Sequence, residues 1–311
     1  MSFTSEVKQE VANEIFEENE ARAELSALLK MTSSIVLSSR GKQLLVTVEN
    51  AAVARTVYRL VKERYPADME MFVKKKMNLR KNNIYGIRII GDVDSILEDV
   101  GLYGPRGLLD KPYSRIVAAD NWAKAYLAGA FLAAGSVNPP SSNNYHLEIA
   151  TDSEEHARFL VSLLERFAIN ARITERRSRF VVYVKQQEKI GDVLSLVSAE
   201  NAFFVFMEAY IERDLHNNMQ RLNNIDIANE VKAQTAARKQ LEDIAVLEEH
   251  DRIRSLDRKL VDIIELRKEH PEASLKEMCE LYEQKTGQTV SKSGVKHRLE
   301  KIHELAEQVR T

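Results

Sequence analysis

The spacing of apolar residues along the chain predicts the same order of strand and helix at two places. The segment LLVTVENAAVARTVYRLVKE, which begins at Leu44, alternates apolar and polar residues and then changes to helical spacing. The segment LEIATDSEEHARFLVSLLER, which begins at Leu147, does the same. Because side chains alternate along a strand and recur about every 3.6 residues along a helix, each segment is predicted to be a strand that leads into a helix.

Further pairs of segments match in the same order, which indicates that about one hundred residues are duplicated. ELSALLKMTSSIVL in the first copy aligns with YLAGAFLAAGSVNP in the second, and the basic hairpins MEMFVKKKMNLRKNNIYGIRII and ARITERRSRFVVYVK follow them. The sequence Gly-Asp-Val opens an apolar helix at the end of each half, at Gly91 and at Gly191. The two halves, over residues 23–101 and 124–198, are each predicted to fold as helix, two strands, helix, two strands, helix.

Small residues recur along the first helix of the second half. They are Ala128, Gly129, Ala133, Ala134 and Gly135. Because small side chains let two helix backbones approach closely, we expect this helix to pack against its counterpart in the first half across a pseudo-twofold axis.

The C-terminal segment carries the spacing of three short amphipathic helices. His270 ends the first helix, because the residue before Pro271 disfavours helical backbone. Ser274 opens the second helix with the capping box S-L-K-E, Gly287 lies in the turn that follows, and Ser291 caps the third. The predicted buried side of the third helix is Val295, Leu299, Ile302 and Leu305. Three short helices with a glycine in the turn before the last predict a helix-turn-helix.

The exposed side of the third helix carries the candidate DNA-contacting residues, because this helix of the motif enters the major groove. The predicted set is Ser274, Lys276, Ser291, Lys292, Ser293, Gly294, Lys296, His297, Arg298 and Lys301. Gly294 lies inside the helix, where a small residue suits a close approach of backbone or base. The alternative is a small three-helix bundle with a solvated basic face.

The stretch between the two regions is predicted to be helical over residues 199–250. It contains an amide-rich segment from His216 to Asn229, whose side chains could bond to base edges but are more typical of caps and turns. The expected domains are an acidic N-terminal helix, the duplicated domain, a helical linker and the helix-turn-helix. Their limits are 1–22, 23–210, 211–252 and 253–311.

Composition excludes several classes of protein. The chain is 44% hydrophobic and 30% charged, and no apolar run approaches the roughly 20 residues that a membrane helix needs. Its single cysteine, Cys279, excludes an internal disulfide framework and a cysteine-based zinc site. We therefore expect a cytoplasmic protein without membrane contact.

The net charge of −2 conceals two strongly basic hairpins. Their cations are Lys74, Lys75, Lys76, Arg80, Lys81 and Arg88 in the first, and Arg172, Arg176, Arg177, Arg179 and Lys185 in the second. A local field of one sign is typical of a surface that binds nucleic acid. The alternative is a pair of solvated strand edges, which Lys and Arg protect against aggregation.

The segment LAGAFLAAG, Leu127 to Gly135, resembles the LAGLIDADG motif of homing endonucleases. The resemblance implies two αββαββα halves whose sheets form a saddle over DNA. In active members an acid at the eighth letter of each motif holds the divalent metal, which prefers hard oxygen ligands. Here Thr32 and Ala134 occupy those places, so we predict no catalytic residues, no nuclease activity, no metal and no cofactor.

The whole order of parts, which ends with SLKEMCEL and SKSGVKHRLEKI, resembles the WhiA family. The resemblance implies an α+β fold, a duplicated LAGLIDADG-like αββαββα domain followed by an all-α helix-turn-helix domain. It also implies a non-catalytic bacterial protein that binds double-stranded DNA at the nucleoid, for cell division and chromosome segregation, transcription regulation, or both. Other regulators or RNA polymerase are further candidate partners. An active LAGLIDADG endonuclease and a protein-interaction scaffold are the alternatives, and the oligomeric state is open.

Overall fold

The computed structural model describes residues 2–39, 41–75, 83–142 and 144–310. The chain forms two compact units, Met1–Arg213 and Asp214–Thr311, and each is described by itself. Within the described ranges, no helix has the length and apolar character needed to span a membrane.

The first unit contains the duplicated αββαββα fold that was predicted. After α1 (Phe3–Val11), the first half consists of α2 (Glu18–Thr32), β1 (Ser33–Ser38), β2 (Gly41–Val48), α3 (Ala51–Arg64), β3 (Asp68–Lys75), β4 (Asn83–Ile90) and α4 (Val93–Asp99). A small hairpin, β5 (Tyr103–Gly104) and β6 (Gly107–Leu108), and a 3-10 turn, Ser114–Val117, connect the halves. The second half consists of α5 (Asp120–Ala134), β7 (Gly135–Val137), β8 (Leu147–Thr151), α6 (Glu154–Glu165), β9 (Arg172–Arg176), β10 (Arg179–Val184) and α7 (Gln187–Leu196).

The two halves have the same sheet topology. The strand orders are β1-β2-β4-β3 and β7-β8-β10-β9, and all neighbouring strands are antiparallel. Strand burial alternates as the sequence predicted, with Leu147, Ile149 and Thr151 buried along β8. Equal topology in matching order confirms the internal duplication.

Helices α2 and α5 pack against each other along the centre of the unit. A Cβ atom on Gly129 would lie 2.4 Å from the carbonyl oxygen of Glu24 and 3.0 Å from the Cβ of Ala27. No side chain larger than hydrogen fits there, so the predicted close approach of the two motif helices is confirmed.

The matched Gly-Asp-Val sequences are not structurally equivalent, which corrects the sequence alignment. Gly91 precedes α4 with φ +154°, and Asp92 caps that helix by accepting a hydrogen bond from the Ser95 amide. Gly191 lies inside α7, where a Cβ atom would come within 2.9 Å of the Met207 sulfur. One glycine permits a backbone turn and the other permits close helix packing, so the shared letters arise from different constraints.

The acidic N-terminus forms two elements rather than the single helix expected over residues 1–22. Helix α1 ends at Val11, and α2 begins after Glu17, whose backbone amide donates to the Glu20 carboxylate. This reciprocal capping box starts a new helix inside the segment that periodicity alone treated as continuous.

Helix α8 (Glu200–Glu249) begins in the first unit and continues into the second. The amide-rich segment lies within it, so its interpretation as caps and turns was wrong. The helix contains neither glycine nor proline, and its side chains bond to one another at i,i+4 spacing, as Asn218 does to Asp214 and Gln220 to His216. Local polar pairs therefore support a helix where the composition suggested turns.

The second unit contains the end of α8, a 3-10 turn (Ile253–Ser255), α9 (Arg258–Glu269), α10 (Leu275–Thr286) and α11 (Lys292–Arg310). Its core includes Ile244 and Leu247 of α8, so the last turns of the predicted linker 211–252 belong to the hydrophobic core of this unit. The third helix of the motif extends beyond Ala306, which is fully buried, whereas Leu305 is only half-buried against the core.

Candidate nucleic-acid interface

The turn between α9 and α10 is held by a buried arginine. Arg267 is 2% exposed, and its Nη1 donates to the carbonyl oxygen of Ala273 at 2.7 Å, with longer contacts to those of His270 and Pro271. Burial lowers the pKa of this guanidinium below its usual value. The backbone carbonyls offset part of the cost of burying the charge, so Arg267 fixes where α10 begins. The only sequence signal was a cation beside the apolar positions of α9.

Helix α10 has the ends that the sequence predicted. The Ser274 hydroxyl accepts from the Glu277 amide at 3.3 Å, and the Glu277 carboxylate accepts from the Ser274 amide at 2.7 Å. The backbone bond from Ser274 holds the pKa of Glu277 below its usual value. Gly287 closes the helix with φ +70°. Ser274 thus shapes the helix end, while Lys276 in the next turn is exposed.

The first turn of α11 is capped by Ser291, whose hydroxyl accepts from the Gly294 amide at 3.1 Å. A Cβ atom on Gly294 would lie 3.0 Å from a methyl carbon of Val290. The absence of a side chain at this position is therefore explained by packing of the preceding loop, without any need for a base to approach.

The exposed face of α11 contains most of the predicted set. Ser291, Lys292, Ser293, Lys296, His297 and Lys301 are all exposed, opposite the buried Val295, Leu299 and Ile302. Lys292 makes no ion pair within the described part of the chain, whereas Lys296 lies 3.6 Å from Glu300 and Lys301 lies 3.0 Å from Glu304. Exposed pairs of this kind are weak, so phosphate oxygens can replace the carboxylates.

Arg298 departs from the predicted exposed face. Its guanidinium lies 4.7 Å above the ring of Tyr282, which is buried in α10. Its Nη1 is buried and has no hydrogen-bond partner among the described residues. A cation stacked on an aromatic face is held in one orientation, so Arg298 joins α11 to α10 and is only partly available to a ligand.

The opposite side of α11 is fastened to α8 by a buried carboxylate. Asp243 is 2% exposed, and its two oxygens lie 2.8 Å from His303 Nδ1 and 3.1 Å from Arg310 Nη2. Asp243, His303 and Glu307 have ligand atoms within 4.8 Å of one another, which is metal-ligand spacing. The Arg310 guanidinium contacts both carboxylates and already supplies the cation that they need. The cluster thus clamps the helix that carries the exposed basic face.

In the first unit, the residues at the eighth letter of the two motif helices carry no carboxylate. The Thr32 hydroxyl donates to the Leu28 carbonyl at 2.6 Å, and Ala134 has no ligand atom. Both line a cavity of about 390 Å³ in which, among the described lining residues, Glu49 is the single carboxylate. Lys8 lies in the same cavity, and burial lowers the pKa of its amine to about 8.

Lysine also replaces the acid at the sixth letter of the first motif. Lys30 donates to the Leu109 carbonyl at 3.0 Å, and its amine lies 4.0 Å from Asp110. Ammonium groups repel divalent cations, so the surroundings of the helix ends disfavour metal-assisted chemistry.

The basic hairpin of the second half is well defined. Arg176 lies directly opposite Arg179 in the β9–β10 register, and the turn residues Arg177 and Ser178 both have positive φ, 53° and 60°. Such turns favour glycine and asparagine, and like charges opposite each other destabilise a hairpin. Arg179 is paired with Asp152 at 2.7 Å, whereas Arg172, Arg176 and Arg177 are exposed and make no ion pair in the described ranges.

In the hairpin of the first half, one of the described cations pairs with an acid on the neighbouring strand. Arg88 pairs with Glu70 at 2.7 Å across the β3–β4 register. Lys74 lies over the ring of Phe72, as Lys185 lies over Tyr183 in the second half, and Lys75 is exposed. Three further members of the predicted set, Lys76, Arg80 and Lys81, lie outside the described residues.

Comparison with known proteins matches three family models along the chain. They are the WhiA N-terminal LAGLIDADG-like domain over residues 18–103, the WhiA LAGLIDADG-like domain over 123–216 and the WhiA C-terminal HTH domain over 219–306. The last model begins within α8, in agreement with the contribution of that helix to the second core.

Relatives match over the full length. The probable cell division protein WhiA of Lactiplantibacillus plantarum is 40% identical over 309 residues, which is 99% of both chains. That of Oceanobacillus iheyensis is 42% identical over 311 residues, which is 100% of this chain and 98% of the relative. The crystal structure of full-length DUF199/WhiA from Thermatoga maritima matches with a TM-score of 0.60 and 23% identity, covering 99% of each chain. A crystal structure of the N-terminal LAGLIDADG domain of DUF199/WhiA matches with a TM-score of 0.51 and 26% identity, over 63% of this chain and 90% of that one.

Proposed function

Because the chain belongs to the WhiA family of cell division proteins, we propose that it is a non-catalytic protein that binds double-stranded DNA through the exposed face of α11. The observation that carries this proposal is the first half of α11. Exposed Lys292, Ser293, Lys296 and His297 are presented there on a helix fastened from two sides, by Arg298 on Tyr282 and by the Asp243 clamp.

The roles of these side chains follow from their chemistry. Lys292 and Lys296 contact phosphates, whose negative charge also favours the positive end of the helix dipole. Ser293 and His297 lie one helical turn apart and are able to donate to base edges in the major groove. Lys276 and the end of α10 meet the adjacent backbone. Arg298 positions α11 rather than reading a base.

The duplicated domain of residues 23–210 has no nuclease role in this proposal. Thr32 and Ala134 replace the metal-holding acids, and Lys8 brings positive charge to the cavity that they line. Residues 253–311 recognise DNA together with the last turns of α8. Binding of this kind would place the protein on the nucleoid, where other regulators or RNA polymerase are candidate partners.

The hairpin of Arg172, Arg176 and Arg177 supports a second, weaker phosphate contact. Its turn holds two non-glycine residues at positive φ and keeps like charges opposite each other. Backbone strain and charge repulsion of this kind concentrate at sites where a ligand compensates for them. A phosphate anion between the arginines would do so without reading sequence.

The test is selection of bound duplexes from a random library with Mg²⁺ present, followed by binding titrations over a range of salt concentration. Lys292→Ala/Lys296→Ala should weaken binding and lower the slope of log K against log salt by about 0.9 for each lost phosphate contact. Lys232→Ala/Lys259→Ala is the matched control, since it removes two exposed lysines of the same unit.

An enriched motif that depends on Lys292 and Lys296, with the DNA left intact, supports the proposal. Equal binding by both double variants would move recognition away from α11. Cleaved DNA would overturn the non-catalytic assignment, and an absence of enrichment at low salt would favour an interaction scaffold.

A further inference from the structure

One stretch in the middle of α8 is exposed on all sides. Every side chain from residue 214 to residue 232 is exposed, and none of them belongs to either hydrophobic core. Most of the stability of a helix in a protein comes from tertiary packing of an apolar face, which this stretch does not have within its own chain. A helix of ordinary composition therefore needs a packing partner along this stretch.

The same stretch carries apolar side chains at coiled-coil spacing. Leu215, Leu222 and Ile225 are 55–62% exposed, and Asn218 occupies the place between the first two. Steps of three, four and three residues bring these four positions onto one face, and Met219 lies beside them. These five residues form the apolar stripe of α8. A contiguous exposed stripe of this kind marks an interaction surface rather than scattered surface apolar residues.

The charges that flank the stripe are complementary to a second copy of itself. Arg221 and Asp226 make no ion pair or hydrogen bond within the described part of the chain. They are five residues apart on one helix, so they point in different directions and do not meet each other.

A parallel coiled coil would give both Arg221 and Asp226 an ion-pair partner. With Leu215 and Leu222 at heptad position a, Arg221 falls at position g and Asp226 at the following e. In a parallel pair, position g of one helix lies beside that e position of the other. Arg221 of one copy therefore meets the partner's Asp226, and the twofold axis repeats the pair.

We propose that the apolar stripe of α8 binds a second copy of this chain as a short parallel two-stranded coiled coil. An isologous contact uses the same patch on both subunits, which is the commonest way for a protein to form a closed oligomer. Asn218 at a core position pairs with its own copy and restricts the register, at a cost in stability. Because the stripe spans only about two heptads, the association is weak and depends on concentration.

The first test is sedimentation equilibrium of the full chain over a range of concentrations. The wild type should shift from the monomer mass to twice that mass as concentration rises. Leu215→Glu/Leu222→Glu should remain a monomer with an unchanged far-ultraviolet circular dichroism melt of its two cores, since both side chains are already exposed. A monomer at every concentration, or equal association of the variant, would overturn the proposal. A fourfold mass would overturn the two-stranded arrangement.

Charge exchange tests the identity and direction of the partner. Arg221→Glu should weaken association at least several-fold, and Arg221→Glu/Asp226→Arg should restore it, because the exchanged pair forms again across the twofold axis. Arg238→Glu is the control, since it changes an exposed arginine of the same helix beyond the stripe. Loss without recovery in the double variant would overturn the parallel pairing.

Oxidative cross-linking tests the same arrangement without measurement of an association constant. In a Cys279→Ala background, Leu215→Cys should give a covalent dimer, because equivalent core positions face each other in a parallel pair. Gln220→Cys, on the far side of the same helix, should not. Cross-linking at both positions or at neither would contradict the arrangement.

Discussion

The two motif helices place a buried polar side chain at equivalent positions, Glu24 and Tyr126, but only Tyr126 has a hydrogen-bond partner among the described residues. In the second half, the Tyr126 hydroxyl lies 2.8 Å from His156 Nε2, and His156 Nδ1 lies 2.8 Å from the Thr151 hydroxyl. In the first half, Glu24 is fully buried and neither carboxylate oxygen has a hydrogen-bond partner among the described residues. Duplication therefore preserved the helix pair while the polar chemistry behind each helix diverged.

The difference appears in the pKa values of the two groups. Burial raises the pKa of Glu24 to about 8, with a smaller opposing effect of Arg59. Burial lowers the pKa of His156 to about 4, and Lys30 lowers it further. Both groups are thus neutral near pH 6. A rise in pH destabilises the first half through Glu24, and a fall in pH destabilises the second half through His156.

The largest expected effect comes from breaking the contact that the two helices share. Gly129→Ala forces a Cβ atom against the Glu24 carbonyl, which is backbone and cannot move aside alone. We expect a loss of about 3 kcal/mol or more in the free energy of unfolding, at the upper end for overpacking. Ala133→Gly, on the same helix, should cost only about 0.5–1 kcal/mol in the same denaturant titration. Equal losses would contradict the close approach.

The second prediction removes the unsatisfied acid. The folded state keeps the Glu24 proton up to about pH 8, whereas the unfolded chain releases it above its ordinary pKa of 4.5. Stability from this group is therefore fully present below pH 4.5 and is lost as pH rises towards 8. Glu24→Gln should stabilise the protein by a few kcal/mol at pH 8, at roughly 1.4 kcal/mol for each unit of pKa shift, and by little at pH 5. Denaturant unfolding at both pH values measures this, and an equal gain at both would contradict it.

The third prediction applies the same acid-to-amide change where the acid has partners. Asp243→Asn removes the carboxylate of His303 and one of the two carboxylates of Arg310, so we expect a loss of about 2 kcal/mol at neutral pH. The sign is opposite to that of Glu24→Gln. A higher free energy of unfolding for Asp243→Asn, measured by denaturant titration, would show that the clamp does not hold α11.

The smallest effect is expected at the satisfied network. Tyr126→Phe removes one hydrogen bond from His156 and should cost about 1–2 kcal/mol. His156 has a depressed pKa, so its contribution is present above pH 6.5 and is lost as pH falls towards 4. Tyr126→Phe should still lose unfolding free energy as pH rises towards 8, because Glu24 is unchanged. Denaturant unfolding at pH 5 and pH 8, as for Glu24→Gln, measures this. If Tyr126→Phe abolished the fall in unfolding free energy between pH 5 and pH 8, that fall would not come from Glu24.

Local signals accounted for much of the fold because they act over a few residues. Ser274, Gly287 and Ser291 mark helix ends by capping geometry that depends only on their neighbours. The Gly-Asp-Val match did not identify equivalent positions, because a short match does not show why a residue is present. Gly91 permits a backbone turn, whereas Gly191 permits close helix packing.

The candidate interface was only partly predictable from residue types. Exposure of Lys292, Lys296 and Lys301 follows from helical spacing against Val295 and Leu299. The stacking of Arg298 on Tyr282 and the burial of Arg267 do not follow from spacing, because each depends on a neighbouring helix or turn whose position was not known.

Residue type and spacing along the chain were enough to predict the repeated order of helices and strands and the small residues that let the motif helices meet. They also place Thr32 and Ala134 where the LAGLIDADG motif has an acid. The folded chain was needed to show that Glu24 is buried without a hydrogen-bond partner among the described residues, that Arg267 holds a turn, and that α8 is exposed from residue 214 to residue 232. Removal of a side chain from water depends on contacts between segments distant in sequence, and no local pattern encodes those contacts.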